Sequence, residues 1–242
     1  MQSVNISPQT DHILFLDVET VPITAQYSEL TEEAKQLWTD KSRHFKQHEG
    51  DDAASLYDRA GIYAEFGKVI CISVGYLQHA EVAKRFYLRS YAGDDERQLL
   101  LDFAEMLRAW DKNGRFLCGH NIREFDVPYL CRRMLIHGVS LPPMLDIGGL
   151  KPWEVRHLDT LQLWKFGDYK HYTSLKLLAF CFGLPSPKSD IDGSEVARVY
   201  YEEKDLARIQ LYCERDVLTV ARLYLKLVQG GEIPDEAVVL RT

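Results

Sequence analysis

The chain has 242 residues, 46% of them hydrophobic, which supports one substantial core and excludes wholesale disorder. A net charge of −7 excludes a surface that wraps nucleic acid by charge alone, yet permits a local basic groove leading to an acidic metal site. Five cysteines without a CxxC pair predict buried reduced thiols, and the lack of a signal-like N-terminus or of a run of about 18 apolar residues predicts a soluble, cytoplasmic protein with no membrane partner.

HILFLDVE, residues 12–19, reads as a first strand, apolar on both faces and therefore interior. A polar stretch over about 24–63 follows. Leu30, Ala34, Leu37 and Phe45 have helical spacing, and EGDDAASLYDRAGIYAEF predicts a second short helix after the Gly50-Asp51-Asp52 break. This stretch reads as a helical insertion within a single domain spanning 1–242. KVICISVGYL and EVAKRFYLRS predict two strands. DDERQLLLDFAEMLRAW predicts an amphipathic helix with Leu99, Leu100, Phe103, Met106 and Leu107 inward. RFLCGHN predicts a short strand, DVPYLCRRMLIHG a helix, VRHLDTLQLWKF a further strand-like run, and SLKLLAFCFGL a helix stopped by Gly183 and Pro185. SEVARVYY and DLARIQLYCERDVLTVARLYLKLVQ predict the last helices, ahead of a short tail after Gly230-Gly231. Strands first, then alternating helices and strands, point to an α/β domain.

The chemistry-bearing residues fall into three groups. Asp17 and Glu19 stand two apart in a strand and share one face, where paired carboxylates repel unless protonated or neutralised by a cation. A solvated strand end is the competing reading. Asp126 opens a helix after Gly119-His120-Asn121, where an acid also serves as a cap. Phe125 beside it either packs or stacks on a base. Tyr212 and Asp216 lie one helical turn apart, a spacing shared with ordinary surface pairs.

Taken in order, Asp-x-Glu-Thr, Asn-x3-Phe-Asp and Tyr-x3-Asp resemble the three motifs of the DEDD 3′–5′ exonucleases. Tyr212 matches the tyrosine branch of that family, because the histidine branch places His where this chain has Leu211. The resemblance extends to the proofreading exonuclease domain of family B DNA polymerases and to bacterial stand-alone relatives. It covers most of the chain and is weakest over 24–63. It implies a ribonuclease H-like α/β fold, with a mixed central sheet flanked by helices.

The resemblance further implies that Asp17, Glu19, Asp126 and Asp216 hold two divalent metal ions, Mg²⁺ or Mn²⁺. Tyr212 would orient the attacking water, being a poor base at its ordinary pKa near 10. Thr20, Val21, Asn121, Phe125 and Lys188 are the candidate substrate contacts. Asp159 is a candidate site-lining acid or a turn acid. Lys170, His171, Tyr172 and Lys176 are a candidate rim for single-stranded ends, and His120 reads as a packed histidine. Asp190 and Asp192 lie in a loop that either caps a helix or borders the substrate. The implied activity is 3′–5′ hydrolysis of single-stranded DNA, with RNA or oligoribonucleotides as the alternative substrate and a non-catalytic nucleic-acid-binding module as the third reading. A chain of 242 residues has no room for a polymerase, so a proofreading role implies a protein partner or gives way to a role in repair, where a protein partner is again an option.

Overall fold

The computed structural model describes residues 10–45, 50–79, 84–112, 114–168, 170–185 and 191–241. Six strands form one mixed sheet: β1 (Ile13–Pro22), β2 (Gly67–His79), β3 (Lys84–Ala92), β4 (Phe116–Gly119), β5 (Leu158–Asp159) and β6 (Val238–Leu240). Their order across the sheet is β5-β4-β1-β2-β3-β6. β1 is antiparallel to β2 and parallel to β4. β2–β3 is antiparallel, while β3–β6 and β4–β5 are parallel.

The helices are α1 (Glu32–Ser42), α2 (Glu96–Trp110), α3 (Asp126–Ile136), α4 (Thr160–Lys165), α5 (Leu175–Cys181), α6 (Val196–Arg198) and α7 (Leu206–Leu227). No described helix is long and apolar enough to cross a membrane. β1 is central, so both of its faces are covered and its sequence is apolar on both. Leu14, Leu16 and Val18 face α2 and α3, where Leu100, Phe103 and Leu130 are buried against them. Ile13 and Phe15 face α7, against Val217, Val220 and Tyr224. Full burial of each such side chain contributes about 1.5–3 kcal/mol. α2 starts where the Asp95 carboxylate accepts the Gln98 N–H, and buries Leu99, Leu100, Phe103 and Leu107 on one stripe.

The segment after β1 builds a small core of its own. α1 is capped by Thr31, whose hydroxyl accepts from the Ala34 N–H. Trp38 is fully buried, edge-on to the rings of Phe66 and Tyr57 at 5.1 and 5.5 Å, and donates its indole N–H to the Ala53 carbonyl at 2.7 Å. Instead of a second α-helix, the chain forms a 3₁₀ turn at Tyr57–Ile62 that lies along β1. The carbonyl of Gly61 in that turn accepts from the Thr20 hydroxyl at 2.8 Å and the Tyr129 hydroxyl at 2.9 Å.

Three local expectations change. VRHLDTLQLWKF is extended only at Leu158–Asp159, because the Asp159 carboxylate then accepts the Leu161 and Gln162 N–H groups and starts α4. The helix expected over SEVARVYY is a single α-turn that widens into a π turn at Val199–Glu203. The tail returns to the sheet as β6 beside β3.

Candidate active site

Asp17 and Glu19 leave β1 on the face toward α7, following Ile13 and Phe15 by strand alternation. The β1–β2 register slips between Glu19 and Thr20, a bulge at the point where the strand's role passes from packing to presenting carboxylates. Glu19 is buried and Asp17 half-buried. An oxygen of each carboxylate and the Cys213 sulfur lie within 4.8 Å of one another. The Cys213 thiol donates to the Asp17 backbone carbonyl at 3.4 Å. Burial pushes that thiol far above its ordinary pKa, so it stays protonated and acts as a clip between α7 and β1.

Asp126 arrives from the other side. β4 pairs with β1 only as far as Phe15 and Cys118, and farther along β1 the Val18 N–H donates to the Asp126 carboxylate. The start of α3 therefore grips β1 between its two acids. Asp159 holds the connecting loop, accepting the backbone N–H of Asn121 at 3.0 Å and of Arg123 at 3.2 Å while capping α4. Asp216 and Tyr212 project from α7 and are hydrogen-bonded, the hydroxyl donating to the carboxylate. α7 comes this close because Gly75 on β2 has no side chain. A Cβ there would stand 2.4 Å from the Phe86 ring and 3.0 Å from Val217, the residue after Asp216.

The four acids share one electrostatic neighbourhood. Burial, then Asp216 and Asp126, hold Asp17 well above the ordinary carboxylate range. Burial, then Asp17 and Asp216, do the same to Glu19. Burial pushes Asp126 up to about 7 and Asp216 up to about 6. Tyr212 rises far above its usual value through burial and the charges of Asp216, Glu19 and Asp17, so its hydroxyl keeps its proton. A hard divalent cation fits this set: the donors are oxygens, their charges are uncompensated, and the amide oxygen of Asn121, on the loop into Asp126, is buried without a donor among the described residues. The thiol of Cys213, protonated and soft, is a poor ligand for such an ion.

The remaining candidates divide. Thr20 spends its hydroxyl on Gly61, and the Val21 side chain is buried with Ile70 and Val199, so only the backbone is left to meet a ligand. Asn121 adopts a left-handed conformation, φ 63°. Phe125 is half-buried and packs on Tyr129 at 5.5 Å between ring centres. Lys188 and Asp190 lie outside the described residues. Asp192 accepts the Ser194 N–H and hydroxyl and so holds a turn ahead of α6, whose cap position is Glu195 and has no side-chain cap. His120 is a packed histidine: Nδ1 meets the Thr160 hydroxyl at 2.9 Å, Nε2 meets the Thr173 carbonyl at 2.8 Å, and burial lowers its pKa. That ring fixes the 170–174 segment to the end of β4. Tyr172 on the segment is exposed, sits edge-on to His120, and feels the charges of Asp126, Asp159 and Asp17. Cys213, the double duty of Asp159 and the anchoring by His120 emerge only from the folded arrangement.

Residues 62–236 match the family model described as a predicted 3′–5′ exonuclease related to the exonuclease domain of PolB. No curated protein gives a significant match. The family B DNA polymerase of the hyperthermophilic archaeon Pyrobaculum calidifontis superposes with a TM-score of 0.53 at 14% sequence identity, over 89% of this chain and 24% of the polymerase. Likeness at that identity is one of fold, here ribonuclease H-like, and the chain spans about a quarter of the polymerase's length.

Proposed function

We propose, for a chain that belongs to the family of predicted 3′–5′ exonucleases related to the exonuclease domain of PolB, a metal-dependent nuclease that removes nucleotides from the 3′ end of single-stranded DNA. The observation that carries this reading is the convergence of four acids from β1, α3 and α7, all with proton affinities raised by burial, Asp17 and Glu19 also by the charges of the other acids. Such a cluster is stable when charged only if cations share it.

Asp17, Glu19, Asp126 and Asp216 would hold two divalent ions, Mg²⁺ or Mn²⁺. When bound, such ions make a water more acidic, polarise the phosphoryl group and neutralise charge on the departing oxygen. The chain's own residues supply placement. Tyr212, locked in its protonated form, gives its one hydrogen to Asp216 and offers its hydroxyl oxygen as an acceptor that orients the attacking water; it does not take that water's proton. The Thr20 and Val21 backbone lies next to the acids along β1, where a 3′-terminal nucleotide would rest. Tyr172 offers an exposed ring beside the acids on which a base can stack.

The test is digestion of end-labelled single-stranded DNA and RNA with Mg²⁺, Mn²⁺ or EDTA. A ladder starting from the 3′ end of DNA is expected, absent in EDTA and absent in Asp17→Ala and Asp216→Ala proteins that keep their circular dichroism. Preferential shortening of RNA would move the substrate to the alternative class. No cleavage of either strand in any metal would overturn the reading.

A further inference from the structure

On the sheet face that carries α2, opposite Asp17 and Glu19, β2, β3 and the end of α2 enclose a groove of about 390 Å³. Leu14 and Val74 belong to its floor. Along it runs a column of alternating character. The Arg241 guanidinium lies 4.0 Å over the Tyr87 ring, Tyr87 stacks on Tyr76 at 5.4 Å, Tyr76 meets Trp110 at 5.4 Å, and the Arg115 guanidinium lies 4.0 Å over Trp110. Arg89 adds a third cation to the lining. Arg241 is held in place by its backbone N–H, which donates to the Leu88 carbonyl at 2.7 Å.

Two features are unexplained by packing alone. Among the described residues, none of the three guanidiniums forms an ion pair with a carboxylate. In a chain of net charge −7, three such arginines around one groove make a locally basic lining. The acids felt on this side, Asp102 and Glu105, act on the neighbouring Tyr91. The second feature is a pair of unspent donors. The Trp110 indole N–H is buried without an acceptor, and the Tyr91 hydroxyl beyond Arg89 is buried without a partner. Buried donors without acceptors are uncommon in folded proteins.

We propose that this groove binds a phosphorylated nucleoside. Guanidinium groups suit a phosphate, and their faces stack on planar rings; Arg115 spends one N–H on the Trp110 carbonyl at 3.3 Å and keeps the others. An aromatic wall with an apolar floor suits the planar ring of a base. The volume lies within the range of small-ligand sites. Inorganic phosphate alone would leave the aromatic wall unused, and an apolar ligand would leave the arginines unused. A nucleotide uses both, whether free or as the end of a strand. The inference stands apart from the proposed nuclease site, because the groove shares no residue with it and needs no divalent ion.

The test uses the full chain in EDTA, where the acidic site repels phosphate. Titration with adenosine 5′-monophosphate, followed by calorimetry and tryptophan fluorescence, should show one saturable site. Adenosine and inorganic phosphate should each bind at least about tenfold more weakly. The double substitution Arg115→Gln, Arg241→Gln should weaken binding by about tenfold or more, and Asp216→Asn should leave it unchanged. If the double variant melts early, Arg241→Gln alone carries the test, since Arg241 is exposed and on the last described position. A 5′-phosphorylated tetranucleotide that competes equally assigns the nucleotide to a strand end; one that does not assigns it to a free mononucleotide. No saturation, indifference to the arginine variants, loss in Asp216→Asn, or phosphate binding as tightly as the nucleotide would each overturn the proposal.

Discussion

At the scale of single residues, the site separates proton holding from proton removal. Tyr212 cannot act as a base while three carboxylate charges and burial hold its proton. Tyr212→Phe should therefore slow cleavage by about 10²-fold, the order expected when a reactant loses its positioning contact, while the Mg²⁺ concentration for half-activity stays put. A variant that instead loses metal affinity would make Tyr212 a structural residue. Tyr172 predicts a different signature. Tyr172→Ala should raise KM for single-stranded DNA with little change in kcat, by roughly five- to a hundredfold for a lost stack of about 1–3 kcal/mol, and Tyr172→Phe should restore it. Equal losses in kcat for both variants would argue against stacking. Spacing alone places Asp17 with Glu19 and Tyr212 with Asp216 on shared faces and leaves a solvated strand end and a surface pair open; the order of the three motifs is what marks the acids as candidates. Cys213 was legible only as a buried thiol. Its contact with the Asp17 carbonyl depends on how α7 crosses β1, which no local pattern encodes.

At the scale of elements, the site depends on how closely helices approach strands. Gly75 is the clearest case, since a side chain there must displace the Phe86 ring or push α7 outward. Gly75→Ala should cost about 1–3 kcal/mol in denaturant unfolding through overpacking, and should lower activity further than that loss explains because Asp216 moves with α7. Activity that stays at the wild-type level in the folded fraction would show that α7 has room to spare. Regular elements with strong periodicity, such as α2 and α7, were readable from their stripes of Leu, Val and Phe. β5 and β6 were not. β5 is a two-residue strand that exists because β4 offers it a parallel edge, and β6 is a three-residue strand recruited by β3. The reading of 155–166 as extended overlooked that Asp159, placed just before Thr160, is a helix cap as well as an acid.

At the scale of the whole molecule, the acidic cluster opposes folding whenever it is charged and alone. Asp126 and Asp216 have folded-state pKa values of about 7 and about 6, above the ordinary 3.8 of an aspartate. The folded protein thus retains protons that the unfolded chain has released, and metal-free stability is lost as pH rises through that range. In EDTA, the melting temperature of the wild type relative to Asp126→Asn should fall between pH 5 and pH 8. Millimolar Mg²⁺ should restore it at pH 8 and do little at pH 5, because the ion binds the deprotonated state. A difference between the two proteins that is flat with pH would mean the acids are solvated in solution. The Gly61 carbonyl, shared by the Thr20 and Tyr129 hydroxyls, has a consequence for anyone trimming the chain to a minimal nuclease. Residues between β1 and Leu56, which carry α1, are candidates for excision. An excision that runs through Gly61 removes the acceptor that ties the end of β1 to α3, and with it the spacing between the strand's acids and Asp126.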